Sequence, residues 1–461
     1  MYSVANCHPT GASHFRRKWK AEWRDLLFPL KHRNPALARP WSSFRHYLTG
    51  DTSAVEIESQ WTARRREQLG IFPTVRTRSA EETPRPSEKL GRATRRTRSF
   101  RVENPHHEHL ACKMLGVLLV IFGAGASYDS VPHLPASQVP GAQYRLPLAN
   151  QLFDGRTIFV EAMKQFPECM EIIPFLRKPG ISVESELARF QLQAETFPRA
   201  YQELAAIRYY LQLALWNCQD VWRQQHFGIT NYATLLREIE RWRYGSSGSV
   251  CFVTFNYDTM LEEAMNQVLG FQVVDLNTYV AQSNYVLVKL HGSINWGREL
   301  DVTLVGQSYT PQYLIREAAS LKVSDRYRLV GPSVASIGQN KVVFPALSIP
   351  VENKDVFECP RTHLDKLEQF LPRVDRIMTI GWRATEAEFL NLLHKWIPQK
   401  QHLLIVSGDH GGAKETLANL TKGGPPDNPS VRLSEIGFTG LLLSELEKLE
   451  AFLHQQGGVI Q

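Results

Sequence analysis

Three short clusters in this sequence carry residue types suited to chemistry, and each closes an apolar run. Gly123-Ala124-Gly125-Ala126-Ser127 follows the run from Leu115 to Phe122. A buried strand leading into a glycine turn lets backbone N–H groups approach a phosphate, and the N-terminus of a following helix adds partial positive charge. Val250 to Phe255 reads as a second strand and ends in Thr254-Phe255-Asn256-Tyr257-Asp258. Tyr285 to Leu290 reads as a third and ends in His291-Gly292-Ser293-Ile294-Asn295-Trp296. In an open parallel sheet the carboxyl ends of strands face the ligand, so three such ends converge although they are far apart in the chain. Taken singly, Asn256 and Asp258 also fit turn and capping chemistry, and His291 fits a satisfied interior histidine. Their joint occurrence after strands points to one site.

A hydride-transfer enzyme is disfavoured. The dehydrogenase fingerprint places a third glycine where this chain has Tyr128, and no acidic residue about 20 positions on is available to hold a ribose.

With these residues in hand, the chain resembles the sirtuin-like family, and within it the bacterial NAD-hydrolysing branch associated with anti-phage defence. Gly123 to Ser127 is similar to the family's glycine loop, Thr254 to Asp258 to its Thr-Gln-Asn-Ile-Asp segment, and Leu290-His291-Gly292 to its histidine-glycine segment. The order is the family's. Thr379-Ile380-Gly381-Trp382 resembles the later glycine turn beside the adenosine, and Ile405-Val406-Ser407 the strand after it. The resemblance implies NAD as substrate. It assigns the phosphates to Ser127 and the backbone of Gly123, Ala124, Gly125 and Ala126, with further cofactor contacts at Gly381 and Ser407. It implies that Asn256 positions the ribose hydroxyls or the attacking water, that Asp258 contacts the nicotinamide or its ribose, and that His291 accepts a proton. Nicotinamide is already a cationic leaving group, so cleavage mainly needs stabilisation of an oxocarbenium-like ribose. A histidine with an unperturbed pKa of about 6.5 is mostly neutral, and therefore basic, at cellular pH.

The departures from sirtuin deacylases matter equally. Those enzymes carry a zinc ribbon of two Cys-x-x-Cys pairs, whereas Cys7, Cys112, Cys169, Cys218, Cys251 and Cys359 lie singly here. No zinc is expected. The resemblance therefore favours hydrolysis of NAD to nicotinamide and ADP-ribose, and defence by NAD depletion. A deacylase or ADP-ribosyl transferase is the nearest enzymatic alternative, and a non-catalytic NAD or ADP-ribose sensor is the alternative from another class. A homo-oligomer and a defence-system partner protein are further expectations of the resemblance, with no motif selecting either.

These clusters need a scaffold to hold them, and alternating strands and helices supply one. Arg376 to Ile380 and His402 to Val406 read as further strands, the first leading through Gly381 to a helix opened by Thr385 with Glu388 three residues on, a capping-box pattern. The expected fold class is α/β, a Rossmann-like parallel sheet with a helical insert at about 155–245. Within the insert, Leu204, Ile207, Leu211, Ala214, Leu215, Cys218 and Trp222 fall on one helical face, and Tyr232, Leu235, Leu236, Ile239 and Trp242 form the stripe of the next. A terminal helix is expected from Leu443 to Leu453.

Charge divides the chain. Residues 1–113 hold 22 Lys and Arg against 11 Asp and Glu, while the remainder holds 31 against 35, so the overall +7 comes entirely from the leader. Its arginines, among them Arg64-Arg65-Arg66, Arg95 and Arg96, stand among Ser, Thr and Pro with little apolar periodicity. A disordered basic leader at 1–113 is expected, dispensable for the NAD-binding domain at 114–461, with nucleic-acid contact as the alternative reading. His106-His107-Glu108-His109 has metal-capable side chains but no further ligands in view, and no metal is assigned. No apolar run reaches the length of a membrane span, and no signal-peptide order is present at the amino terminus, so a cytoplasmic location is expected.

Overall fold

The computed structural model describes residues 116–455, apart from 131–141, 179, 181, 195–196, 227–229, 302–308, 338–340, 351–356, 398–400 and 423–429. The leader expected at 1–113 and the turn-rich stretch 423–429 lie outside the described residues.

Six strands form one parallel sheet. They are β1 (Val117–Phe122), β2 (Ser249–Thr254), β3 (Tyr285–Lys289), and, after an intervening sheet, β8 (Val374–Ile380), β9 (His402–Val406) and β10 (Ser430–Ser434). Their order is β10-β9-β8-β1-β2-β3. The chain builds outward from β1 to β3, returns to the other side of β1, and builds outward again. The reversal lies between β1 and β8, which pair in parallel with Phe122 opposite Ile380. That junction is the switch point of a doubly wound sheet, where the connections on either side leave in opposite directions and open a crevice at the carboxyl ends. All six residues of β1 are fully buried, as continuous Val, Leu, Ile and Phe require of a strand covered on both faces.

The stretch between β1 and β2 is helical. It includes Thr157–Lys164, Val183–Ala194, the 29-residue helix Pro198–His226, and Thr230–Ser246. Every residue of the two stripes named above is buried. The long helix also places a polar contact at intervals along its length. Arg208 Nε donates to the Leu347 carbonyl, Gln212 Nε2 to the Ile294 carbonyl, Gln219 Nε2 to Thr259 Oγ1, and Trp222 Nε1 to Ser130 Oγ, the last three at 2.9, 2.8 and 2.6 Å.

Between β3 and β8 stands a second sheet that the apolar pattern did not announce. β4 (Gly292–Leu300), β5 (Val323–Leu329), β6 (Ser336–Ile337) and β7 (Lys341–Leu347) pair antiparallel in the order β5-β4-β7-β6. Two local expectations are corrected. The helix after β8 spans Ala387–Trp396 with Glu386 at its N-cap, because Glu386 Oε2 accepts from Trp382 Nε1 at 2.6 Å and from the Thr385 N–H at 3.2 Å, so the Thr385/Glu388 box does not form. The terminal helix is two, Gly437–Ser444 and Leu446–His454.

One histidine in this framework sets a pH limit on stability. His363 is fully buried, its Nε2 lies 2.7 Å from the Leu276 carbonyl, and its Nδ1 is enclosed without a partner among the described residues. Burial pulls its pKa down from 6.5 to about 4. The unfolded chain therefore takes up the proton first as pH falls, so the contribution is complete above pH 6.5 and is lost progressively down to pH 4. The loss across that window is about 3 kcal/mol. Urea denaturation of wild type and His363→Gln at pH 7.5 and 4.5 measures it, and equal pH slopes in the two proteins would remove His363 as the source.

Candidate active site

The carboxyl ends of β1, β2, β3 and β8 meet around two structures, a pair of stacked turns and a buried polar cluster. In the turns, the Gly123 N–H donates to the Ile380 carbonyl at 3.0 Å, the Gly125 N–H to the Gly381 carbonyl at 3.1 Å, and the Gly381 N–H to the Val406 carbonyl at 2.9 Å. Backbone lies on backbone. A Cβ on Gly125 would stand 2.8 Å from Gly381 Cα, and one on Gly381, whose φ is +61°, 2.4 Å from the Ala126 nitrogen. The glycines that the sequence reading reserves for phosphate thus have a packing reason of their own, and two of the turn's amides are committed to neighbouring carbonyls. The helix they open, Ala124–Tyr128, has only five residues, with Ala126 buried and Ala124 half-buried.

This changes the expected outcome of substitution at the turn. Gly125→Val and Gly381→Ala should each cost about 3 kcal/mol or more of stability, through steric overlap with backbone that has nowhere to move. Gly155→Ala is the matched control, since no atom lies within 4 Å of the added carbon. Thermal denaturation decides, and unchanged midpoints for the first two would refute the stacked turns.

The polar cluster draws Ser127, Asn256 and Asp258 together with a residue the sequence reading placed only on a core stripe. Ser127 Oγ donates to Asp258 Oδ2 at 2.7 Å, accepts from Asn256 Nδ2 at 3.0 Å, and lies 2.7 Å from Tyr232 Oη. Asp258 Oδ1 accepts from the Met260 N–H at 3.1 Å, which anchors the start of the helix Met260–Leu269. Both carboxylate oxygens of Asp258 and the hydroxyl of Ser127 are therefore engaged inside the protein. Each of the three residues is buried, with Asn256 and Asp258 both 7% exposed. Ser127, expected at the phosphates, and Asp258, expected at the nicotinamide or its ribose, are bonded to each other, and Ser127 also accepts from the Asn256 amide.

His291 reaches the same edge from β3. The segments after β2 and β3 run side by side, with the Leu290 N–H donating to the Thr254 carbonyl at 3.1 Å and the Ile294 N–H to the Tyr257 carbonyl at 2.9 Å. The His291 ring stands edge-on to Phe255 at 4.9 Å between centroids, and Phe255 stacks on Trp382 at 5.4 Å and 8°. An aromatic row thus links the ends of β3, β2 and β8. His291 is half-buried, and its carbonyl accepts from the Ser348 N–H at 3.0 Å. Ser407, at the end of β9, is tied by backbone bonds to Ser434 and Gly437 and shares no side-chain hydrogen bond with the cluster.

Two charged groups beside the cluster escaped the sequence reading. Lys289, in the apolar run of β3, is completely buried, donates to Glu262 Oε1 at 2.9 Å and also donates to the Asp258 carbonyl. Tyr279 Oη adds a second donor to Glu262 Oε1 at 3.1 Å, while Glu262 Oε2 is enclosed without a partner among the described residues. Arg145 is 4% exposed, with its guanidinium 4.8 Å from the Tyr128 ring and 5.3 Å from the Trp222 ring. Among the described residues no carboxylate pairs with it, and its Nε is enclosed without an acceptor. A lysine inside an apolar run was a legible signal. Arg145 had none.

Among the described residues no group of His, Cys, Asp and Glu has the makings of a metal site, and Cys169, Cys218, Cys251 and Cys359 are buried free thiols. No described helix is long and apolar enough to cross a membrane.

No protein-family model matches this chain, and neither does any curated protein. Solved structures give three representative likenesses. A Sir2 homologue triple mutant in complex with 2′-O-acetyl ADP ribose is 13% identical, over 75% of this chain and 96% of that one, with a TM-score of 0.33. A Sir2 homolog–NAD complex is 13% identical over 74% and 91%, with a TM-score of 0.32. A Sir2 structure described for mechanism and regulation is 15% identical over 73% and 94%, with a TM-score of 0.31.

Proposed function

We propose that this chain binds NAD at the β1/β8 crevice and hydrolyses it to nicotinamide and ADP-ribose. The observation that carries the reading is the Asn256 amide, held from below by Ser127, on a segment running beside the one that bears His291. Asn256 Oδ1 accepts from no described residue and retains solvent access, which suits it to a ribose hydroxyl or a water. Arg145 supports an anionic ligand, because an enclosed guanidinium that no carboxylate among the described residues pairs with is costly until a phosphate or similar group pairs with it.

In this reading the glycosidic bond breaks with its electron pair leaving on nicotinamide, which departs neutral. Water adds to the oxocarbenium-like ribose, and His291 takes the proton that the water loses. The Thr254–Asp258 and Leu290–Ile294 segments, laced by backbone bonds, keep these two groups in fixed relation. The body at 114–461 is the catalytic part, acting in the cytoplasm, and NAD depletion during phage infection is the role this chemistry serves.

Incubating the purified full chain with NAD and separating the products by chromatography tests the reading. Free nicotinamide and ADP-ribose are expected. An acylated ADP-ribose formed only with an acyl-peptide would assign a deacylase, and binding without products would assign a sensor.

A further inference from the structure

The proton inventory of the buried cluster assigns a role to Tyr232. Ser127 has one hydroxyl proton, and it goes to Asp258 Oδ2 at 2.7 Å. Its oxygen can then only accept, so the 2.7 Å contact from Tyr232 is a donation by the phenol and the 3.0 Å contact from Asn256 is a donation by the amide nitrogen. Tyr232 Oη also lies 3.5 Å from Asn256 Nδ2, where its lone pair faces the same amide hydrogens. A rotated Asn256 would set its Oδ1 against two oxygens whose protons are already spent.

We infer that Tyr232 is a positioning residue for Asn256: its hydroxyl, through Ser127, locks the amide with nitrogen inward and Oδ1 toward the ligand. The orientation of Asn256 is thereby set before any ligand arrives. Burial also pushes the Tyr232 phenol well above its ordinary range, so it remains a donor at every working pH. The rest of the side chain packs independently of this bond, with its ring 5.4 Å from Phe122 and 5.5 Å from Phe438. Removing the hydroxyl therefore isolates the hydrogen bond from the packing.

The inference rests on the NAD-cleaving reading for its catalytic consequence and not for its geometry, and two measurements separate them. The first follows hydrogen exchange of the Asn256 side-chain amide in full-length protein labelled with ¹⁵N-asparagine, the resonance being identified by its loss in Asn256→Ala. Exchange in Tyr232→Phe should be at least about tenfold faster than in wild type, and an unchanged rate overturns the inference. The second is NAD turnover, in which Tyr232→Phe should lower kcat about tenfold with KM within about twofold, the signature of a lost orientation rather than lost binding. Equal kcat, or a rise in KM alone, also overturns it. Tyr209→Phe is the control, since that buried hydroxyl has no partner among the described residues and its loss should change neither readout. If wild type does not cleave NAD, the functional reading falls and the exchange rates alone decide whether Tyr232 holds Asn256.

Discussion

Asn256→Ala and His291→Ala should each lower NAD turnover by about 100-fold or more, the scale of a lost positioning or proton-accepting group. NAD binding should fall much less, because neither side chain is the site's source of charge. The double variant should be hardly slower than the worse single variant, since both residues serve one step. Steady-state kinetics with product quantification, paired with calorimetric titration of NAD, gives both quantities. Near-normal turnover in either variant would strip that residue of its role. Asn256→Ala also removes a donor from Ser127, so its thermal midpoint should be recorded beside its rate.

The largest effect on stability is expected at Lys289. Replacing it by Met leaves Glu262 buried, among the described residues, with one oxygen held only by Tyr279 and the other without a partner. Breaking one side of a buried ion pair in this way costs about 3 to 5 kcal/mol, because the remaining charge is uncompensated. Lys289→Met combined with Glu262→Leu should recover much of that loss, since a neutral pair of similar volume carries no orphaned charge. Urea denaturation of the four proteins in the cycle measures it. A double variant as unstable as Lys289→Met alone would mean that the bond from Lys289 to the Asp258 carbonyl, and not the ion pair, holds this part of the sheet together.

What could be read from the sequence follows from where apolar periodicity was strong. Five of the six parallel strands and both helical stripes are built from mainly apolar runs or faces, so their positions were legible to within a residue or two, whereas β10, which reads Ser-Val-Arg-Leu-Ser, was not. The antiparallel sheet was not read: Val323–Leu329 is written in mixed residues, Val-Ser-Asp-Arg-Tyr-Arg-Leu, whose charges pair across the strands, as in Arg326 and Arg328 with Glu299, while the apolar run of Lys341–Leu347, Val-Val-Phe-Pro-Ala-Leu, was present and passed over. In the site, the residue types at the strand ends were visible and their partners were not. Tyr232 could be placed on a buried face, but which group its hydroxyl meets depends on two segments more than 100 residues away on one side and 24 on the other. The glycines carried an ambiguity no sequence resolves: a missing side chain makes room for a ligand or for another turn, and here Gly381 occupies part of that room.

The position of β1 also governs how the chain is made. Val117 pairs with Ser249 on one side and with Val374 on the other, so the most apolar strand of the sheet emerges from the ribosome before the other five and waits longest for its second neighbour. At synthesis rates of roughly 5 to 20 residues per second, the wait for β8 is about 13 to 50 s. During that interval the growing chain carries an unpaired apolar edge, and the helices between β1 and β2 are the material at hand to cover it. Yield in a cell should accordingly respond to chaperone supply and growth temperature more than the stability of the finished protein would indicate.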